Sequence, residues 1–161
     1  MAKRVKILPV SEAPFRSLGI TSTLKDYQLA FGLGKLTSLA FRQEDDLAVH
    51  LAGQEVSLPL FAARDEKEHL YYFLIPNKIE GLVLFPSERH FDFWLLLGGD
   101  GVPPMKTLTR ALQGLNKVQF CHEADLSKLR EAPAFFQDLE IETDKIIRRW
   151  EGRRGAEGSM W

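Results

Sequence analysis

The sequence predicts an α+β fold: a single domain in which a mainly antiparallel β-sheet, arranged as a meander, is packed by two or three helices. Between residues 39 and 97, apolar residues alternate with polar ones or form short runs separated by Pro, Gly and Asn turns. That pattern is typical of consecutive strands. On both sides of this region, apolar residues recur at helical spacing. A chain of 161 residues fits one hydrophobic core.

Composition and charge exclude several classes of protein. Apolar residues make up 45% and charged residues 27% of the chain, which does not favour a disordered or a membrane protein. Lys and Arg number 21 against 22 Asp and Glu, so the net charge of −1 gives no global field that would attract nucleic acid or anionic lipid. We assign residues 1–151 to the single domain and residues 152–161, which include three glycines, to a flexible C-terminal tail.

The cytoplasm is the predicted compartment. Cys121 is the only cysteine, which excludes an intrachain disulfide. The basic residues near the start resemble a signal peptide, but Pro9 and Pro14 interrupt the apolar run that would have to follow. No run of about 18 apolar residues is present, so we predict no transmembrane helix.

The first elements follow from periodicity and turn residues. Phe15 to Thr21 is predicted as a strand, and Thr23 to Asp26 as the N-cap of a helix that runs to about Gly34 and packs on the sheet. Leu47–Leu51 and Val56–Leu60 then alternate as a hairpin. Pro59 cannot donate a ladder hydrogen bond, which places its strand at a sheet edge or at a bulge.

The meander is predicted to continue through three apolar runs. His69–Ile75 is apolar on both faces, as expected of a strand in the middle of the sheet. Pro76, Asn77 and Lys78 turn the chain, Leu82–Phe85 returns, and Phe91–Leu97 runs again. Such short connections favour antiparallel neighbours.

The second half of the chain is predicted to be mainly helical. A helix carries Met105 and further leucines at helical spacing and ends near Gly114. A strand follows at Lys117–Cys121. The last helix is predicted to begin near Thr143 and to dock through Ile146, Ile147 and Trp150.

One polar cluster stands between two strongly apolar runs. Glu88, His90 and Asp92 bring acid and imidazole side chains together within five positions. Two hypotheses account for them: a structural hairpin turn, or the active or ligand-binding loop of an enzyme. We favour the hairpin because turn chemistry accounts for each residue.

The segment from Phe85 to Phe93, F-P-S-E-R-H-F-D-F, resembles the signature of the IPExxxVDY family of small bacterial proteins. Stretches around Gly19, Tyr27 and Asn77 also resemble that family, so the similarity would span roughly 15–120. The resemblance implies no established activity. Pro86 and Asp92 match the signature, whereas the remaining signature positions hold variant residues: Phe85, Ser87, Phe91 and Phe93.

These departures favour a structural role for the signature. If the family's Glu, Asp and Tyr formed a catalytic group, this chain would lack two members unless Glu88 substituted for one. Instead, Pro86 can stiffen the turn, Phe91 and Phe93 are predicted to share one face, and Asp92 to accept N–H bonds of the turn from the other face.

The remaining motifs indicate no cofactor and no metal. The glycine-rich segment 98–101 departs from both nucleotide-binding motifs and is interpreted as a connecting loop. Cys121 and His122 are neighbours in a strand, so their side chains should point to opposite faces and form no catalytic dyad. The four histidines lack metal-binding spacing.

A basic cluster lies near the C-terminus, with Trp150 and Trp161 close to it in sequence. It could contact RNA or an acidic partner. A solvated helix end, with Asp144 paired to Arg148, is the favoured interpretation. The members of this basic patch are Lys145, Arg148, Arg149, Arg153 and Arg154.

The sequence therefore predicts a non-enzymatic protein-interaction module that binds a protein partner or forms a homodimer through a sheet edge or its aromatic strands. This hypothesis requires an exposed apolar patch beside a short or Pro-marked edge strand. An enzyme or small-ligand binder at the 86–92 turn and an RNA-associated protein are the alternatives.

Overall fold

A computed structural model describes residues 15–51 and 53–158, with side chains through residue 152. It contains eight strands and three helices within that range, and two single 3-10 turns at Pro86–Glu88 and Leu126–Lys128. The α+β prediction is confirmed. In chain order the elements are β1 (Arg16–Ser22), α1 (Asp26–Thr37), β2 (Arg42–Leu51), β3 (Gln54–Asp65), β4 (Leu70–Pro76), β5 (Lys78–Ile79), β6 (Leu82–Val83), β7 (Phe93–Gly99), α2 (Met105–Gln113), β8 (Val118–Glu123) and α3 (Ala132–Gly158).

Six strands form one antiparallel sheet in the order β2-β3-β4-β7-β1-β8. The first four positions hold four of the five strands of the predicted meander, without Leu82–Phe85, and β4 lies in the interior as expected. The first strand of the chain, β1, lies between β7 and β8. Strands β7 and β8 are both antiparallel to β1, so they run in the same direction. Helix α2 makes the crossover between them. The terminal strands of the sheet are thus β2 and β8.

Both faces of the sheet are covered, which explains why β4 and β7 are apolar at almost every position. Along β7, Phe93, Leu95 and Leu97 face α1 and α2, whereas Trp94 and Leu96 face α3. A strand with alternate residues in two separate cores loses the apolar–polar alternation of a half-exposed strand. The helices complete these cores through Leu29, Leu33, Leu108 and Leu112 on one face and Phe135, Phe136, Leu139 and Ile146 on the other.

Pro59 lies beside a bulge, one of the two predicted locations. The register between β2 and β3 shifts between Glu44 and Leu47, opposite Pro59. Pairing of β3 with β4 begins only at Phe61. The missing N–H of the proline therefore falls where the ladder is already interrupted.

Two predictions about the 82–93 segment are wrong. Leu82–Phe85 is not a strand of the main sheet; only Leu82 and Val83 pair, with β5, in a separate two-stranded ribbon. Phe91 and Phe93 do not share a face, because a bend at Asp92 interrupts the alternation before β7 begins. Phe91 packs in the α3 core and Phe93 in the α1/α2 core.

Helix α1 begins and ends later than predicted. Lys25 is the N-cap, and its N–H donates to Gln28 Oε1 at 2.9 Å, so the capping residues lie two positions beyond those predicted from Thr23. Gly32 does not end the helix. A Cβ at this position would lie 2.8 Å from Leu115 Cδ2, so the glycine allows α1 to approach the segment after α2. The helix ends at Thr37, and its C-cap Ser38 has a left-handed φ of 61°.

Helix α3 begins at Ala132, not near Thr143. Pro133 is compatible with its first turn, and Phe135 and Phe136 are buried against the sheet one turn later. The helix continues through Gly158, so 152–158 of the predicted tail is helical backbone. Residues 159–161 lie outside the described part, and the flexibility of the tail stays a prediction.

Candidate interaction site at the edge strand β8

The predicted polar turn is held by the buried side chain of Asn77, which is 1% exposed. Its Nδ2 donates to the carbonyls of Glu88 and Phe91 at 3.0 and 2.9 Å. Its Oδ1 accepts the backbone N–H of Phe85 at 3.2 Å and the indole N–H of Trp94 at 2.7 Å. All four hydrogen-bonding positions of the amide are used. The segment is therefore a fixed turn, and sequence reasoning had assigned Asn77 only to chain reversal.

Asp92 is also bound within the fold. Its Oδ2 accepts the N–H of Ser22 at 2.9 Å, and its Oδ1 accepts Lys78 Nζ at 3.1 Å. We predicted that Asp92 would accept N–H groups of its own turn. The N–H of Ser22 belongs instead to the end of β1, where the β1–β8 register shifts. Glu88 Oε2 and His90 Nε2 lie 3.8 Å apart. The partners of the Asp92 side chain are thus separate from the contact that Glu88 and His90 make with each other.

Four rings beside this turn pack in a continuous series: His90, Phe91, Phe120 and His122. The His90 ring lies 4.1 Å from Phe91, and Phe120 stacks on Phe91 at 5.9 Å and on His122 at 6.1 Å, measured between centroids. Phe91 is buried, whereas Phe120 is 46% exposed. Gly19 makes this packing possible, because a Cβ there would lie 2.5 Å from the Phe91 ring.

The backbone of β8 faces outward at Cys121 and Glu123. The N–H of Ala124 donates to Ser17 on β1 at 3.0 Å. Because successive N–H groups of a strand alternate in direction, those of Cys121 and Glu123 point away from β1. Gln113 of α2 reaches this outer edge, and its Nε2 donates to the Cys121 carbonyl at 3.2 Å.

The opposite edge strand, β2, has features that discourage pairing with another chain. Its bulge lies in the middle of the strand, between Glu44 and Leu47. Asp45 and Asp46 are exposed there, and Arg149 of α3 binds Glu44 across it. In β8 the register shift lies near the start, beside Val118, which leaves its second half regular. Bulges and charges are common protection for edge strands, so β8 is the less protected edge.

A groove of about 340 Å³ runs between α2 and β8. On the α2 side it has cationic side chains at Lys106 and Arg110. On the β8 side, Glu123 accepts Arg16 Nε at 2.7 Å, so its charge is already paired. The complete lining is Met105, Lys106, Thr109, Arg110, Gln113, His122 and Glu123.

The described part of the basic patch is largely engaged in ion pairs. Arg149 contacts Glu44, Asp45 and Glu142 at 3.2, 3.4 and 3.8 Å. Lys145 contacts Glu142 at 3.9 Å. These contacts attach α3 to β2 and leave Arg149 less available to an external anion.

The remaining members of the patch divide into exposed and undescribed residues. Arg148 is exposed, and among the residues with described side chains no ion pair joins it to Asp144. Trp150 stacks on Tyr71 at 6.0 Å, so its ring packs against the body of the protein. The side chains of Arg153 and Arg154 lie outside the described part, as does Trp161.

The glycine-rich loop has a packing role, in agreement with its interpretation as a connection. The φ of Gly99 is 109°, and a Cβ there would lie 2.5 Å from the His69 carbonyl oxygen. Gly101 is tighter still, since a Cβ would overlap the Glu68 carbonyl, and its N–H donates to His69 at 3.0 Å. The glycines allow the backbone of this loop to contact the backbone at Glu68 and His69.

Cys121 and His122 point to opposite faces, as predicted. Cys121 is buried, and burial raises the pKa of its thiol to about 11, whereas His122 is exposed. Within 15–51 and 53–158, no group of three or more His, Cys, Asp and Glu side chains is arranged to hold a metal ion. Over the same residues, no helix has the length and apolar character needed to cross a lipid bilayer.

No protein-family model and no curated protein matches the chain. The resemblance to the IPExxxVDY family therefore stays a prediction, and the site rests on its own geometry.

Proposed function

We propose that this chain is a non-enzymatic, cytoplasmic protein-interaction module that pairs β8 with an extended strand of a protein partner or of a second copy. One observation carries the proposal: β8 is a terminal strand whose outward backbone lies beside the exposed ring of Phe120. The buried thiol of Cys121, within the same strand, is compatible with a reducing compartment.

Strand addition suits this edge for two reasons. Glu123 offers a backbone N–H and carbonyl to a partner strand, and Cys121 offers an N–H and, once Gln113 is displaced, its carbonyl. Main-chain hydrogen bonds supply affinity in this mode of recognition. Phe120 and His122 lie on one face of the same strand and would cover alternate side chains of the partner. The exposed ring gives the new strand apolar surface to bury.

The two alternative functions find less support in the geometry. An active site at the 86–92 turn needs polar groups that converge, and Asp92 is bound to Ser22 and Lys78 while Glu88 contacts His90. RNA binding through the C-terminal patch needs accessible arginines and rings, and Arg149 and Trp150 are both packed into the fold.

The test is recovery of bound molecules with the tagged full chain from its native cytoplasm, with and without nuclease. Phe120→Ser removes the exposed ring, and Glu123→Pro removes an outward N–H at an edge position that tolerates proline. Phe31→Ser is the matched control, because the Phe31 ring is 67% exposed and belongs to helix α1 and not to an edge strand.

We expect a nuclease-resistant protein at near-equal amount that both β8 variants lose and the control retains. Sedimentation of the purified chain identifies a second copy as the partner if β8 variants dissociate it. A partner retained by both β8 variants, or recovery of RNA alone, would contradict the proposal.

A further inference from the structure

We infer that the strand recruited by β8 is acidic: an extended peptide segment with Asp or Glu at alternate positions on the side that faces α2. This inference rests on the proposed function and specifies its partner. It follows from the charge of the α2/β8 groove, the spacing of its cations and the alternation of side chains along a strand.

The groove is cationic although the chain as a whole has a net charge of −1. Glu123, the carboxylate in its lining, is paired with Arg16. Lys106 and Arg110 are exposed, and neither forms an ion pair with any side chain that the structure describes. Two positive charges therefore remain for a ligand in the groove.

The spacing of these cations matches that of a strand. Lys106 and Arg110 are four residues apart on α2, which is about 6 Å along a helix. Alternate side chains on one face of a strand are about 6.6 Å apart. Carboxylates at positions i and i+2 of a paired strand therefore have a separation comparable to that of the two cations.

The opposite face of the same strand would meet a different surface. Successive side chains of a strand alternate between faces, so residues between the acidic ones would lie beside Phe120. Apolar side chains fit there because the ring of Phe120 is nearly half exposed. The predicted partner sequence alternates acidic and apolar residues.

Other occupants fit less well. In a second copy, the β8 residues that share a face with Cys121 are Gln119 and Glu123, and that carboxylate is already paired. A nucleic acid would satisfy the cations but would leave the outward backbone of β8 without a partner strand. An acidic peptide satisfies both features.

The experiment measures binding of labelled peptides to the full chain by fluorescence anisotropy. The probes are a short peptide alternating Glu with Val and a second alternating Lys with Val. The double variant Lys106→Gln/Arg110→Gln removes the cations. Lys128→Gln/Arg130→Gln is the matched control, since it removes two exposed cations beyond β8.

We expect the Glu peptide to bind about tenfold more tightly than the Lys peptide, from two exposed ion pairs. The preference should disappear in the double variant and persist in the control. Equal binding of both peptides, lost on Phe120→Ser, would overturn the acidic preference while leaving β8 as the docking strand. Failure of both peptides to bind would also overturn the inference. In that case, recovery from the cytoplasm of a protein of unrelated sequence that the β8 variants lose would still support the proposed function.

Two further outcomes identify other occupants. A short single-stranded RNA that binds more tightly than the Glu peptide, with affinity lost in the double variant, would assign the cations to nucleic acid. A dimer dissociated by Phe120→Ser, with no displacement by the Glu peptide, would assign β8 to a second copy. Either result contradicts the inference.

Discussion

Asn77 Oδ1 accepts the indole N–H of Trp94 at 2.7 Å, across the turn that separates β4 from β7. Both side chains are at most 1% exposed. A buried tryptophan needs an acceptor for its N–H, and a buried amide needs partners for all its polar atoms. Each residue meets the other's requirement, and the remaining bonds of Asn77 close the 85–91 segment around it.

Asn77→Ala should lower the free energy of unfolding by about 3 kcal/mol, because it leaves the Trp94 N–H and the carbonyls of Glu88 and Phe91 without this partner. Urea denaturation followed by Trp fluorescence measures the change. Gln137→Ala, at an exposed helical amide, should change the stability by less than about 0.5 kcal/mol. Equal effects of the two substitutions would show that Asn77 does not hold the turn.

Asp92→Asn should lower the free energy of unfolding by about 1–2 kcal/mol. The substitution removes the negative charge, which in the native chain attracts Lys78 and also strengthens the hydrogen bond from the Ser22 N–H. Glu88→Ala should cost less than about 0.5 kcal/mol, since its 3.8 Å contact with the exposed His90 lies at the surface. Thermal and urea unfolding of both variants make the comparison. A destabilised Glu88 variant beside an unchanged Asp92 variant would reverse these roles.

Much of the fold could be predicted because its signals are local. The alternation in the hairpin, the apolar run of β4 and the helical spacing from Met105 each depend on neighbouring residues. The insertion of β1 between β7 and β8 could not be predicted, because strand order depends on contacts distant in sequence. The early start of α3 was missed because apolar residues near its N-terminus, followed by polar ones, gave no sustained helical period.

The candidate site was only partly predictable. Polar residue types drew attention to Glu88, His90 and Asp92, although Asp92 serves the fold. The exposed ring of Phe120 was missed, because a phenylalanine in a strand normally indicates burial and only the strand order places β8 at the edge. The buried Trp94 needs an acceptor for its N–H, but several polar side chains lie closer to it in sequence than Asn77 does, so the sequence did not single out Asn77.

Arg148 and Arg149 are neighbours in α3 with different expected effects. Arg149→Met should lower the free energy of unfolding by about 1–2 kcal/mol, because Glu44 and Glu142 would lose the cation between them. Arg148→Met, at an exposed position, should change it by less than about 0.5 kcal/mol. Urea denaturation at matched ionic strength measures both. Similar small effects would indicate that Arg149 is free to bind an external anion.

Gln113→Ala should strengthen binding of a strand to β8, because the incoming N–H would no longer displace the side chain from the Cys121 carbonyl. The bond is partly buried and measures 3.2 Å. Its loss should improve the affinity by up to about fivefold, equivalent to about 1 kcal/mol. Anisotropy with the Glu peptide measures the effect, and Gln137→Ala is the control. Weaker binding would show that Gln113 contacts the partner directly.

Cys121 should make stability fall at alkaline pH. Burial raises the pKa of its thiol to about 11 in the folded chain, whereas an exposed thiol titrates near about 8.5. Between these values the unfolded chain releases the proton first. Ionisation then favours unfolding, and the free energy of unfolding should fall by about 1.4 kcal/mol per pH unit.

The measurement is urea denaturation from pH 7 to 10.5 for the native chain and for Cys121→Ala. Other groups titrate in this range, so the difference between the two slopes isolates the thiol. Below the unfolded pKa the difference should be constant, and above it the native chain should lose stability faster than the variant. Parallel slopes would mean that the thiol ionises as readily in the folded chain as in the unfolded chain. That result would require the Cys121 side chain to be exposed to solvent and not buried.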